Sequence, residues 1–328
     1  MDIQYARTLR PSVERAWLEL LRRCELEEAP GLENTVLIWD GDELVAAGSR
    51  QGAILKCIAV DPLHQGEGLT GTLLTHLRQE AFDSGYRHLF LYTKPKNHAM
   101  FAPLFFYPVA KTEQVLLMES EAHGLQRFLD SLDKPCTSGR IGAAVMNCNP
   151  FTRGHRYLIE TAAAQCDWFY IFVLSEEQGA FPAAHRLELV RQGTADLKNV
   201  TVHPTGPYLI SSATFPTYFL KDKAQAGDVQ CLLDIDIFLR HFAPAFSITH
   251  RYVGTEPTCR VTARYNQLLA QHLPPAGVEL IQLPRLEAGG APVSASTLRA
   301  LLGSGQPQAV RALVPDSTFI YLCDHNMI

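Results

Sequence analysis

Residues Ile141 to Ala164, IGAAVMNCNPFTRGHRYLIETAAA, constrain the fold more than any other stretch. The apolar run from Ile141 to Met146 reads as a buried strand. A polar, proline-containing turn follows, Asn147-Cys148-Asn149-Pro150. Helical spacing then takes over, with Leu158, Ala162 and Gln165 on one face and Thr161 beside them. Thr152 stands where a helix N-cap is wanted. Strand, tight turn and helix in this order predict an open parallel sheet that binds an anion at a helix N-terminus. Gly154 lets a backbone or a phosphate approach closely. His155 offers a donor to whatever occupies that place, and phosphoryl chemistry asks mainly for positioning and charge.

Thr152-x-Gly154-His155 resembles the (H/T)xGH signature of the nucleotidyltransferase superfamily. Those enzymes join a nucleotide to an acceptor with loss of pyrophosphate. The resemblance implies that Asn147, Cys148, Asn149, Phe151 and Gly154 line an ATP site and that Thr152 and His155 act in catalysis. A second segment completes the pattern far along the chain. In Val293-Ser294-Ala295-Ser296-Thr297-Leu298-Arg299, hydroxyls precede a helix and an arginine sits in its first turns. Arginine gives planar, bidentate phosphate contacts. The segment resembles the superfamily's ISSTxxR signature, which assigns Ser294 and Ser296 to ATP and Arg299 to catalysis.

Other expected elements of this half are strands at Trp168–Leu174, Val200–Val202, Cys231–Ile237, Phe246–Gly254 and Val278–Leu283. A short helix is expected over Phe238–Phe242. Ligands dock at strand carboxyl ends in such sheets, which brings Gly254 into the candidate site. Arg186, in the helix opening near His185, either reaches phosphates or is a solvated helix charge. Leu209 to Lys221, LISSATFPTYFLK, holds a substrate or caps a helix. Lys221, Asp234 and Asp236 have no role assignable from the sequence.

A chain of 328 residues is long for one core, so two domains are expected. Hydrophobic residues at 47% suffice for ordinary globular folding. The net charge of −5, with no Lys/Arg run, argues against a nucleic-acid partner. No KMSKS-like segment follows the first signature, which argues against a tRNA synthetase. The longest apolar run is of strand length, so no membrane span is expected. Eight cysteines without CxxC or zinc spacing read as reduced thiols in the cytoplasm.

The first half opens with an amphipathic helix over residues 12–24, carried by Val13, Ala16, Trp17, Leu20 and Leu21. Thr35–Trp39 and Glu43–Gly48 flank a hairpin turn at Asp40-Gly41-Asp42. A strand over Ala53–Val60 leads through Gln65-Gly66-Glu67-Gly68 into a helix with Leu73, Leu74 and Leu77. Backbone N–H groups there suit a pyrophosphate. Val60-Asp61-Pro62 and Gln65-Gly66-Glu67-Gly68-Leu69 resemble motif A of the GNAT acetyltransferases, which binds coenzyme A. The resemblance assigns Val60, Gln65, Gly66 and Gly68 to a CoA-like arm. Thr70 replaces the motif's last small residue, and Ile54–Ala59 carries no glutamate base. Pro103 interrupts the next helix, and Tyr107, a candidate acid, adjoins Pro108. A CoA-binding module is therefore expected rather than an acetyltransferase.

The fold class expected is α/β: a GNAT-like α+β domain over residues 1–135, then a Rossmann-like nucleotidyltransferase domain with a parallel sheet over 136–328. The boundary is drawn from Asp133-Lys134-Pro135-Cys136-Thr137-Ser138-Gly139. This order, with NCNPFTRGHRYLIE, DLKNVTVHPTGPYLISSATFPTYFLKD and VGTEPTCRVTARYN, resembles the citrate lyase ligases. The resemblance implies that ATP, carrying Mg²⁺, and acetate give acetyl-adenylate. The acetyl group then passes to the thiol of the dephospho-CoA-derived prosthetic group on the acyl carrier subunit of citrate lyase. Two alternatives stay open: a nucleotide adenylyltransferase of NMN or phosphopantetheine type joined to a CoA-binding module, and a non-catalytic sensor.

Overall fold

The structure, a computed structural model, describes every residue except 136–137, 178, 210–214, 221–225, 258 and 303–304. Lys221, the centre of the expected linker and part of LISSATFPTYFLK thus lie outside the described residues. The chain forms two compact units. One comprises Met1–Leu125 and Pro216–Val229; the other comprises Gln126–Phe215 and Gln230–Ile328.

The first unit is built on a seven-stranded sheet. Its strands are β1 (Asp2–Ala6), β2 (Asn34–Asp40), β3 (Glu43–Gln51), β4 (Ile54–Val60), β5 (Phe90–Thr93), β6 (Tyr107–Lys111) and β7 (Leu116–Glu119), in the order β1-β2-β3-β4-β5-β7-β6. All pairs are antiparallel except β4 with β5. Helix α1 (Pro11–Arg23) starts on proline, carries Glu14 in its first turn and Arg22 and Arg23 in its last, and buries Trp17, Leu20 and Leu21. Those charges suit the helix dipole, and each large apolar side chain contributes roughly 1.5–3 kcal/mol by burial. Helix α2 (Leu69–Asp83) packs Leu73 and Leu77 on the sheet over Gly48, where a Cβ would lie 2.8 Å from Leu77 Cδ1. Where proline interrupts the next pattern, α3 (His98–Phe101) is a single turn that passes into a 3₁₀ turn.

Two features of β4 shape this unit. Its pairing with β5 covers only Ile54 with Phe90 and Leu55 with Leu91, so the strands part towards their carboxyl ends. Its register against β3 also slips between Ala47 and Ser49. Cys57 and Ile58 then face one residue, with Cys57 at φ 52°, which is a β-bulge.

In the second unit, α4 (Gly124–Asp130) leads to five parallel strands: β8 (Ile141–Met146), β9 (Trp168–Val173), β10 (Val200–Pro204), β11 (His250–Gly254) and β12 (Glu279–Leu283). Their order is β10-β9-β8-β11-β12. The chain moves outward from β8 on one side, then returns to build the other. Helices α5 (Arg153–Ala163), α6 (Ala183–Gly193), α7 (Ala226–Ile237), α8 (Ala243–Ala245) and α9 (Arg260–His272) connect the strands. A two-stranded ribbon of β13 (Glu287–Ala288) and β14 (Ala291–Pro292) precedes α10 (Ala295–Leu301), α11 (Pro307–Leu313) and α12 (Asp316–Asp324). These last helices bury Leu298, Val310, Val314 and Leu322 with Phe181.

Two sequence expectations are corrected. Cys231–Ile237 is not a strand but the end of α7. The alternation of Leu233, Asp234, Ile235 and Asp236 mimics a strand, but Val229, Leu233 and Ile237, spaced four apart, are buried together with Asp234. Strand β11 begins at His250 rather than Phe246, because Ser247 takes φ 52° and breaks the extended run.

Candidate active site and arm cleft

The crevice of an open parallel sheet lies where the strand order reverses. Here that point falls between β8 and β11, whose carboxyl ends lead into Asn147–Thr152 and Thr255–Glu256. Helix α5 points its N-terminus there. Thr152 caps it by accepting from His155 N at 3.4 Å, while Thr152 N donates to His155 Nδ1 at 3.0 Å. This is a capping box in which histidine stands where Glu or Gln usually does. The Thr-x-x-His spacing therefore sets the imidazole's orientation. Phe151, fully buried, stacks on the ring at 6.0 Å between centroids.

The backbone donor also settles the tautomer: Nδ1 must accept, so the proton of a neutral ring is on Nε2. Burial, then the charge of Arg285, lowers the His155 pKa to about 4. The imidazole is neutral at pH 7 and offers an Nε2–H hydrogen bond, in keeping with the donor role expected from the sequence. By NMR, its ring resonances should titrate near pH 4, with no inflection between pH 6 and 7. Since the unfolded chain takes up this proton near 6.5 and the folded one near 4, stability should fall as pH drops through that window. A midpoint near the ordinary histidine value would contradict the half-buried, capped geometry.

The second segment meets the first here. Ser294 caps α10 by accepting from Thr297 N at 3.0 Å. Arg299 donates to the Asn149 carbonyl and, at 3.2 Å, to Ser296 Oγ. A Cβ on Gly154 would stand 3.0 Å from the Val293 carbonyl oxygen, so glycine is what lets the two segments touch. Gly254 accepts from Asn266 Nδ2 at 2.9 Å, which fixes the end of β11.

The first unit holds a cavity of about 790 Å³ where β4 and β5 part. Val60, Gln65, Gly66 and Gly68 all line it. Gly66 and Gly68 have φ 92° and 78°, which favour glycine, and Gly68 is the N-cap of α2. Asp61, buried, holds the turn by accepting from Leu63 N at 2.9 Å and pairing with Arg23 at 2.8 Å. Lys94 and Lys96 stand on the lining. The arrangement suits a phosphate-bearing ligand with an apolar tail.

Residues 141–322 match the family described as the citrate lyase ligase C-terminal domain, and residues 5–102 match the acetyltransferase (GNAT) family. A citrate (pro-3S)-lyase ligase of Klebsiella pneumoniae is 44% identical over 308 residues, covering 92% of this chain and 90% of that protein. Those of Escherichia coli and Haemophilus influenzae are 42% and 39% identical, with 93% and 86% of this chain covered and 88% and 87% of theirs. The chain belongs to the citrate lyase ligase family. It is an enzyme, and its fold is a GNAT domain followed by a parallel-sheet domain.

In this ligase some site residues stand differently from expectation. Arg186 is not a solvated helix charge. Its side chain is fully buried and donates to Phe181 O at 3.1 Å, Asn147 O at 2.8 Å, Asn147 Oδ1 at 2.6 Å and Glu176 O. It clamps the loops after β8 and β9 together. Cys148 is buried in the core with Phe151 and Ile159, and burial pushes its thiol pKa up, so only its backbone faces the turn. Asp234 accepts from Tyr265 inside the fold, and Asp236 pairs with Arg240.

Sequence reasoning missed Arg285 and, with it, the partner of Glu256. Arg285 follows β12, donates through Nε to Thr255 O at 2.9 Å, pairs with the buried Glu256 and lowers the His155 pKa by its charge. Its position just beyond a strand's carboxyl end was the available signal. No helix among the described residues is long and apolar enough to cross a membrane.

Proposed function

We propose that this ligase converts ATP and acetate into acetyl-adenylate and pyrophosphate, and passes the acetyl group to a thiol with release of AMP. The acetate carboxylate attacks the α-phosphorus, and the bond to the β-phosphate oxygen breaks. The thiol then attacks the acyl carbon, and AMP leaves with the bonding electrons. The first step requires stabilised charge and alignment, with no protein nucleophile. His155 donates Nε2–H to a phosphate oxygen, and the α5 N-terminus adds backbone donors. Arg299 and Arg285 supply the positive charge, and Ser294 and Ser296 border the triphosphate. Mg²⁺ enters with the triphosphate as part of the substrate.

The observation that carries this reading is the Thr152–His155 capping box at the sheet's reversal point, with Arg299 tied to Asn149. The acceptor thiol belongs to the dephospho-CoA-derived arm of the citrate lyase acyl carrier subunit. The relatives' printed name supports that partner, and the cavity beside Gly66 and Gly68 supports a CoA-like arm. Cys57 and Cys148 are buried thiols, which suits the cytoplasm.

Exchange of labelled pyrophosphate into ATP tests the reading. It should require acetate. Exchange without acetate but with NMN or phosphopantetheine would instead favour the adenylyltransferase reading. Gly68→Val places a β-branched residue at φ 78°, a strain of about 1–2 kcal/mol. Thiol acetylation should fall by about tenfold while acetate-dependent exchange is spared. Equal loss of both activities would remove the cavity from the account.

A further inference from the structure

The end of β11 meets the helix that carries His155. A Cβ on Gly254 would stand 3.7 Å from Leu158 Cδ1. Leu158 follows His155 by three residues on α5, so the two share one face of that helix. Thr255 and Glu256 therefore leave β11 beside this face, and both hold Arg285. Its Nε donates to Thr255 O at 2.9 Å and its Nη2 to Glu256 Oε2. Among the described residues its Nη1 has no such tie.

Glu256 is itself fixed. Its side chain is 4% exposed, against 28% for Arg285. Its Oε1 accepts from Cys259 N at 3.0 Å, across the turn into α9. One carboxylate oxygen thus closes the turn, and the other holds the guanidinium. A carboxylate beside a cation that serves an anionic substrate lowers the local positive potential, so its presence calls for a compensating gain. Order supplies that gain. A free arginine side chain samples many rotamers, whereas a group aligned before the substrate arrives needs no ordering during the reaction. Held at Nε and Nη2, the planar guanidinium is left to present Nη1.

Resting on the reading that Arg285 serves the substrate phosphates, we propose that Glu256 is a positioning residue for the adenylation step: it fixes Arg285 so that Nη1 is turned to the triphosphate. Glu256 touches no substrate atom and acts only through the guanidinium.

A double-mutant cycle on acetate-dependent pyrophosphate exchange, run with the full chain, tests this. In Glu256→Gln the amide oxygen can still accept from Cys259 N, which leaves an NH₂ group against the Arg285 donors. The turn survives and the hold on Arg285 is lost. The kcat should fall about tenfold, with the KM for ATP within about twofold of wild type. Arg285→Gln should lower kcat by about 10²-fold. Adding Glu256→Gln to Arg285→Gln should change kcat by less than about twofold, because nothing is left to position. A residue that only closes the turn would lower kcat equally in both backgrounds, and that additivity would overturn the proposal. An undiminished kcat in Glu256→Gln would overturn it too. Arg285→Lys keeps a cation for the carboxylate and replaces the glutamine variant in the cycle if the latter does not fold. One ammonium cannot reproduce the fork, so the same non-additivity is expected. An undiminished kcat in the Arg285 variants would instead overturn the placement of Arg285 at the phosphates.

Discussion

Replacement of His155 by alanine should lower acetate-dependent pyrophosphate exchange by about 10²–10³-fold, the usual effect of removing one preorganised donor from a developing negative charge. The loss should come from the missing Nε2–H and not from unfolding. The alanine also removes the acceptor of the Thr152 N–H, which costs about 1 kcal/mol as lost helix caps do. His155→Gln separates the two effects. Glutamine is a natural partner at this position of a capping box, so it should restore most of the stability without restoring exchange. If the glutamine variant recovers exchange along with stability, His155 acts only as a cap.

The second large effect lies away from the phosphates. Arg186→Met keeps length and apolar bulk but strips donors from four oxygen acceptors around a fully buried guanidinium. Leaving several buried carbonyls unsatisfied should destabilise the fold by about 3–5 kcal/mol. For a unit of this size that lowers the melting temperature by roughly 10 °C. The KM for ATP should rise as well, because the Asn147 turn loses its clamp. Arg186→Lys should rescue little, since one ammonium cannot reproduce the planar fork. An unchanged melting temperature with unchanged KM would mean that the clamp contributes nothing.

The legible parts of the molecule were those where backbone chemistry dictates residue type. The strand, turn and helix from Ile141 to Ala164 follow from apolar spacing, a capping threonine and a glycine that permits close approach. The Val293–Arg299 segment was readable for the same reason, and the structure places it against Gly154. Arg186 was not legible, because an arginine on a helix carries no mark of which side it faces. Only the fold shows that it points inward at carbonyl oxygens. The stretch from Cys231 to Ile237 misled because two aspartates imposed a strand-like alternation on a helix whose buried stripe starts at Val229. The packing of Tyr218 and Phe219 into the first unit was beyond local reasoning, since it is a long-range contact with no periodic signature. Arg285 and Glu256 were each visible as charges near strand ends, but their pairing needed the parallel register of β11 and β12.

The central claim is that acetate attacks the α-phosphorus of ATP. Its most direct test uses acetate labelled with ¹⁸O in the carboxylate, with ATP, this ligase and the thiol-bearing carrier subunit, followed by mass analysis of the products. The account predicts one ¹⁸O atom in AMP and none in pyrophosphate, because the oxygen bridging acetyl and phosphorus stays with phosphorus when the thiol attacks. Unlabelled AMP, or label appearing in inorganic phosphate alongside ADP, would contradict it.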